Sequence, residues 1–144
     1  MRREASFERD LQMNPAGILA CVLVAGMVLA PPLAAQTRAR MQFAAGNDNA
    51  HVEATIRGKA YRDHVLGARA GQRMQVSLST KGNAYFNILP PGSGGEAIYI
   101  GSLSGRDGGV DLPATGDYVV RVYLMGADAS SNKTVRYTLS VGIR

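Results

Sequence analysis

The chain has 144 residues, of which 46% are hydrophobic, and a formal net charge of +5 at pH 7. Its basic residues are spread along the sequence without a recognised motif, which argues against nucleic-acid binding. Its single cysteine, Cys21, lies in an N-terminal apolar run, so the sequence beyond that run holds no thiol for a disulfide or for catalysis.

That apolar run, GILACVLVAGMVLA at 17–30, is the first element of the chain. It is shorter than the roughly 20 residues that a membrane-spanning helix needs. Two prolines and then small residues follow it, an order typical of a secretory signal peptide. We therefore predict a signal peptide over residues 1–35. An uncleaved anchor and lipidation of Cys21 are the alternatives.

The signal peptide sets the start of the mature domain. Cleavage is expected after Ala35, and Met13 is an alternative start of translation. Residues 36–144 then form a single periplasmic domain with no membrane segment after cleavage.

Short segments rich in β-forming residues follow a loose tail at 36–39. Many alternate apolar and polar residues, and turn sequences rich in glycine separate them. The segments are MQFAA (41–45), HVEATIR (51–57), AYRDHVL (60–66), RMQVSLS (73–79), AYFNIL (84–89), AIYIGS (97–102), GVDL (109–112), DYVVRVYLM (117–125) and VRYTLSVGI (135–143). No segment of the mature chain has a helical period of useful length. This pattern predicts an all-β sandwich or barrel.

The residues that carry catalysis or bind metals are scarce. His51 and His64 are the two histidines, and both occupy polar positions of predicted strands, where we expect surface side chains. Most carboxylates fall in turns. RDGGVD at 106–111 has two aspartates but too few oxygen ligands for a dedicated calcium site. We therefore expect neither an enzyme, nor a cofactor, nor a metal site.

The stretch GADASSNKT, residues 126–134, separates two long predicted strands. A hairpin closes with two to five residues, whereas this connection is longer and mostly small or polar. Long loops on a rigid scaffold often carry binding function, so we expect it to project from the strands. A solvated connector is the alternative.

Several segments together resemble the bacterial periplasmic inhibitors of goose-type lysozyme. They are ARAGQRMQVSLST (68–80), AYFNILPPGSGGEAIYIGS (84–102), LPATGDYVVRVYLM (112–125) and NKTVRYTLSVGI (132–143). The resemblance implies a compact antiparallel β-sandwich, in agreement with the strands, about eight in number, that the alternation predicts. It also implies that loops at one edge enter the substrate cleft of the lysozyme, which makes the lysozyme the partner.

The resemblance also directs attention to individual residues. Relatives often have arginines after the YLM motif, whereas Gly126, Ala127, Ser130 and Ser131 stand there in this chain. A second loop, SGRDG at 104–108, has a Ser-Gly pair that resembles other lysozyme-inhibitor families. The partner-binding residues that we predict are Ser104, Arg106, Asn132, Lys133 and Arg136.

A secreted glycan-binding or adhesion module is the main alternative function. The GQ turn and the GDY strand resemble the prepeptidase C-terminal type of β-sandwich as well. In this hypothesis four tyrosines would serve as sugar platforms, namely Tyr61, Tyr85, Tyr99 and Tyr123. Rings exposed together in one groove would favour it. Buried rings beside projecting loops would favour the inhibitor. A nuclease or other enzyme is a distant third hypothesis.

Overall fold

The computed structural model describes residues 36–144, which form strands and two helices of one turn each. In chain order the elements are β1 (Gln36–Arg40), β2 (Asn49–Arg57), β3 (Tyr61–Ala68), β4 (Arg73–Thr80), β5 (Ala84–Leu89), β6 (Tyr99–Ile100), α1 (Gly101–Ser104), β7 (Asp107–Asp111), β8 (Gly116–Leu124), α2 (Gly126–Ser130) and β9 (Thr134–Ile143). The predicted signal peptide, 1–35, lies outside the described residues. Within 36–144, no helix has the length and apolarity needed to cross a membrane.

The strands form two sheets. The five-stranded sheet has the order β1-β3-β8-β5-β6, and the four-stranded sheet has the order β2-β9-β4-β7. Neighbouring strands are antiparallel except β1 and β3, which pair in parallel. The predicted all-β sandwich is confirmed, with nine strands in the described part of the chain where we expected about eight.

The core lies between the inner faces of the two sheets. Strand β9 shows the alternation clearly, because its buried residues are separated by exposed or half-buried ones. The largest fully buried side chains are Tyr118, Tyr137, Phe86, Leu66, Met74, Ile88, Leu139 and His64. Burial on this scale is the main source of stability in a domain that we expect to lack disulfides.

The first strand begins earlier than predicted. The segment predicted as a tail is β1, which pairs with the edge of β3, and the predicted strand at 41–45 is irregular. All five side chains of β1 are exposed, so hydrogen bonds to β3 define this strand rather than burial. The guanidinium of Arg40 adds two bonds to the Asp117 carboxylate, at 3.0 and 2.9 Å.

The predicted sixth strand, 97–102, is also shorter in the structure. Strand β6 has two residues, and the chain then turns into α1 at Gly101. A side chain at Gly101 would collide with the Phe86 carbonyl, so only glycine permits this close packing.

The segment RDGGVD, which we considered as a calcium site from its sequence, belongs mostly to β7. Its two aspartates contact different partners, since Asp107 accepts from Ser77 and Asp111 pairs with Arg73 at 2.8 Å. The two carboxylates therefore do not converge on one point.

The prediction that His64 lies on the surface is wrong, because its side chain is 2% exposed. Its imidazole Nε2 lies 2.8 Å from the Tyr137 hydroxyl, a buried hydrogen bond between β3 of one sheet and β9 of the other. Burial is the first cause that lowers the pKa of His64 to about 4, and the nearby Arg62 charge adds to it. His51 is exposed, as predicted.

Candidate functional site

All five predicted contact residues lie at the same end of the sandwich. Strands β2, β4 and β8 finish there, and β3, β5 and β9 begin there. Three connections define this part of the surface, which we call the basic end: residues 57–60, 81–83 and 125–133 together with the start of β9. Helix α1 and the first residues of β7 lie beside it. The topology therefore brings the predicted contact residues at 104–106 close to those at 132–136, although the two stretches are separate in the sequence.

The stretch GADASSNKT is folded rather than projecting as an open loop. Residues 126–130 form α2, and Ser131 closes the helix by donating its backbone N–H to the Ala127 carbonyl at 2.9 Å. Ala129 packs against the core. The expectation of a projecting loop was wrong here because contacts with the β4–β5 turn hold the segment down.

Asp128 makes the contacts that hold α2 against that turn. Its carboxylate Oδ2 accepts a hydrogen bond from the backbone N–H of Asn83 at 2.7 Å, and its Oδ1 lies 3.4 Å from the Lys133 ammonium. The Asn83 hydrogen bond is the first cause that lowers the pKa of Asp128, and the charge of Lys133 also lowers it. Asp128 therefore accepts these bonds as a carboxylate near neutral pH.

Arg106 faces the same turn from the other side. Its guanidinium donates from Nε to the Ala84 carbonyl at 2.9 Å and from Nη2 to the Gly82 carbonyl at 3.0 Å. It also lies 4.9 Å from the centre of the Tyr85 ring. These two bonds attach the guanidinium to the turn, so Arg106 helps to hold the turn in place.

The other predicted contact residues are exposed. Ser104 ends α1, next to Leu103, which is 81% exposed. Asn132 has a positive φ of 59°, and its carbonyl accepts a hydrogen bond from Arg57 Nε at 3.2 Å. Asparagine tolerates this left-handed conformation better than most residues do, which explains its place at the turn into β9.

Lys133 and Arg136 lie along one groove with a third cation, Lys81. The groove encloses about 470 Å³ and runs between the β4–β5 turn and the first half of β9. Lys81 was not predicted as a site residue because a lysine in a short turn has no distinguishing signal. Asp128 was not predicted because we interpreted aspartates of this kind as ordinary turn residues.

Charge is distributed unevenly along the sandwich. Toward the opposite end, arginines pair with aspartates, as in Arg40–Asp117 at 2.9 Å, and the pairs Arg73–Asp111 and Arg144–Asp48 repeat the pattern. At the basic end, Lys81 and Arg136 have no carboxylate within 4.0 Å among residues 36–144. The basic end therefore presents exposed positive charge to a partner.

Three of the four tyrosines lie in one row across the outer face of the five-stranded sheet, where Tyr123 is opposite both Tyr61 and Tyr85. All are half-buried. The Arg121 guanidinium lies 4.0 Å from the centre of the Tyr61 ring, and Arg106 covers Tyr85 in a similar way.

The fourth tyrosine, Tyr99, stacks on the core residue Phe86 at 5.2 Å between ring centres. The four rings therefore do not form a free platform for sugars. This arrangement does not favour the glycan-binding hypothesis.

No family model matches the chain. In sequence it is 29% identical over 135 residues to the inhibitor of g-type lysozyme of Escherichia coli K12, covering 92% of this chain and 100% of the relative. In structure it is similar to PliG of Aeromonas hydrophila, a periplasmic inhibitor of g-type lysozyme. The identity is 33% and the TM-score 0.71, over 76% of this chain and 97% of that chain.

The fold and its basic end thus define a two-sheet β-sandwich with exposed cations at one end. The chain belongs to the family of periplasmic inhibitors of g-type lysozyme. This membership confirms the predicted family and compartment, and the prediction that the chain is not an enzyme. A prepeptidase C-terminal domain of a Bacillus anthracis collagenase is similar at 13% identity and a TM-score of 0.53, which is a likeness of fold alone.

Proposed function

We propose that the chain inhibits a g-type lysozyme by placing its basic end in the substrate cleft of the enzyme. The observation that carries the proposal is the exposed positive charge of this end, on a sandwich of the inhibitor family. Lysozymes use a catalytic carboxylic acid at the cleft. A cation brought close to this group gains attraction once water is excluded.

The residues that make contact are Asn132, Lys133 and Arg136, with Ser104 at the border. The stretch 126–131 itself contains no lysine or arginine, so Lys133 and Arg136 supply the cations next to it. Lys133 is paired with Asp128 in the free protein, so it binds in part by exchanging partners. Arg136 has no such partner among the described residues and is the stronger candidate for a bidentate contact with a carboxylate. Arg106 contributes by holding the neighbouring turn.

The test is the loss of turbidity of a peptidoglycan suspension by goose-type, chicken-type and invertebrate-type lysozymes, with and without the mature chain. We expect inhibition of the goose-type enzyme. Replacing Asn132, Lys133 and Arg136 by alanine should weaken it at least about tenfold, which corresponds to 1.4 kcal/mol. Arg69, exposed in the β3–β4 turn at the opposite end, provides the control. Arg69→Ala should inhibit like the parent, and equal inhibition by the triple variant would place the site elsewhere.

We further propose that residues 1–35 direct export and are removed. The support is the apolar run at 17–30, followed by two prolines and small residues. Intact mass of the periplasmic protein should match a chain beginning at or near Gln36. A membrane-bound product that retains Met1 or Met13 would contradict the proposal.

A further inference from the structure

The turn between β4 and β5, residues 81–83, is held by hydrogen bonds from two sides. Arg106 holds its Gly82 carbonyl from one side, and Asp128 accepts the Asn83 N–H from the other. The Asn83 side chain donates to the Met125 carbonyl at 2.9 Å, and the Met125 N–H donates back to the Asn83 carbonyl at 2.9 Å. Contacts from Arg106, which precedes β7, and from the segment of Met125 and α2 therefore hold this turn in place.

Packing of the turn against β9 also holds the turn in place. A Cβ atom at Gly82 would lie 2.5 Å from Val135 Cγ1, so the turn sits directly on the buried side chain of β9. The Thr80 hydroxyl donates to the Arg136 carbonyl at 2.8 Å and accepts from the Gly82 N–H at 3.1 Å. The backbone on both sides of Lys81 is thereby anchored, whereas the Lys81 side chain is exposed.

The second observation that supports an interaction at this turn is the positive charge around the groove. Lys81, Lys133 and Arg136 line it together, and Asp128, which pairs with Lys133, is only 15% exposed. Like charges gathered on one surface repel each other in the free protein. A partner that places carboxylates in the groove removes this repulsion and replaces it with attraction.

We propose that Lys81 is a further residue that contacts the lysozyme, and that Arg106 and Asp128 act as positioning residues for it. Lys81 supplies, from a neighbouring turn, a cation of the kind that the stretch 126–131 lacks. The chemistry that it fits is a carboxylate at the rim of the cleft. Because its turn is anchored before binding, less conformational entropy is lost on association. This inference rests on the proposed function.

The experiment measures the affinity of the mature chain for a goose-type lysozyme by titration, alongside inhibition. Lys81→Ala should weaken binding about tenfold, equivalent to 1.4 kcal/mol. Lys81→Arg keeps the charge and should restore most of the affinity. Arg69→Ala, which also removes one exposed charge, should bind like the parent. The association rate of Lys81→Ala should depend less steeply on salt than that of the parent.

A double-mutant cycle tests the positioning role of Arg106. If Arg106 acts through Lys81, Arg106→Ala should weaken the parent but add little in the Lys81→Ala background. A general loss of folding would instead lower affinity equally in both. A lowered thermal midpoint of a variant would identify such a loss of folding.

The outcomes distinguish a failure of the inference about Lys81 from a failure of the proposed function. If the parent binds and Lys81→Ala binds equally well, the inference about Lys81 is wrong and the proposed function stands. If the parent neither binds nor inhibits any goose-type lysozyme tested, both are wrong. Additive effects of Arg106→Ala and Lys81→Ala would overturn the positioning role alone.

Discussion

The Asp128 carboxylate accepts a hydrogen bond from the Asn83 backbone N–H at 2.7 Å, joining the β8–β9 connection to the β4–β5 turn. The two residues lie 45 positions apart in the sequence, Asn83 in a short turn and Asp128 in the one-turn helix α2. Their contact joins the two connections into one continuous surface.

Asp128→Ala should release α2 from this turn. The Asn83 amide would lose its acceptor and should exchange its hydrogen faster, which NMR or mass spectrometry detects. Inhibition should also weaken, although Asp128 itself need not touch the lysozyme. Asp117→Ala, which removes a paired aspartate at the opposite end, should change neither property. Unchanged exchange at Asn83 would show that other contacts suffice to hold the turn.

The same contact has a defined pH dependence. The pKa of Asp128 in the folded protein is lowered, first by the Asn83 hydrogen bond. Its stabilising contribution is therefore present above the ordinary aspartate pKa and is lost as pH falls through the lowered value. Inhibition should not change with small pH shifts near neutrality on account of Asp128, because its carboxylate stays ionised there.

Gly82→Ala should destabilise the fold because the added methyl group meets Val135. Overpacking of this kind typically costs about 1–3 kcal/mol. Gly94→Ala is the matched control, since a Cβ there has nothing within 4 Å, and its effect should stay within about ±0.5 kcal/mol. Urea unfolding of both variants measures the free energies.

A cycle with Val135→Ala tests the cause of that destabilisation. Truncating Val135 makes room for the new methyl, so Gly82→Ala should cost less in this background than in the parent. Equal costs would mean that the strain arises from another neighbour.

The buried His64 should make the protein less stable in mild acid. Its pKa of about 4 in the fold lies below the ordinary 6.5, so the neutral imidazole is favoured in the folded state. The stabilising contribution is complete above pH 6.5 and is lost between pH 6.5 and 4, when the unfolded chain takes up a proton first. The difference amounts to about 3 kcal/mol.

Urea unfolding at several pH values measures this effect. His64→Gln should remove much of the fall in unfolding free energy between pH 6.5 and 4, whatever its stability at neutral pH. His51→Gln, at an exposed position of β2, should retain the fall. Parallel pH curves for the parent and His64→Gln would contradict the assignment.

The sequence predicted the sandwich well where one face of a strand is buried. In β4 and β9 the apolar residues repeat every second position, because each strand must present one face to the core. Strand β1 could not be found this way, since all its side chains are exposed and its partner is β3. The His64 prediction was wrong because a polar side chain with a buried partner breaks the alternation that the prediction assumed.

The approximate location of the candidate site could be predicted from the sequence, but the contacts between its residues could not. The length of 126–134 and the resemblance to the inhibitors directed the prediction to residues that the structure places at one end of the sandwich. The short helix α2 has too few residues for a helical period to be recognised. The roles of Asp128 and Arg106 depend on the β4–β5 turn, and no local pattern reports a contact between such distant segments.

Hydrogen exchange of the mature chain with and without a saturating goose-type lysozyme tests the central claim most directly. We predict that binding protects backbone amides at 57–60, 81–83 and 126–133, and leaves the turns at 69–72 and 112–115 at the opposite end unchanged. Protection confined to the opposite end, or to the outer tyrosine row of the five-stranded sheet, would contradict the account.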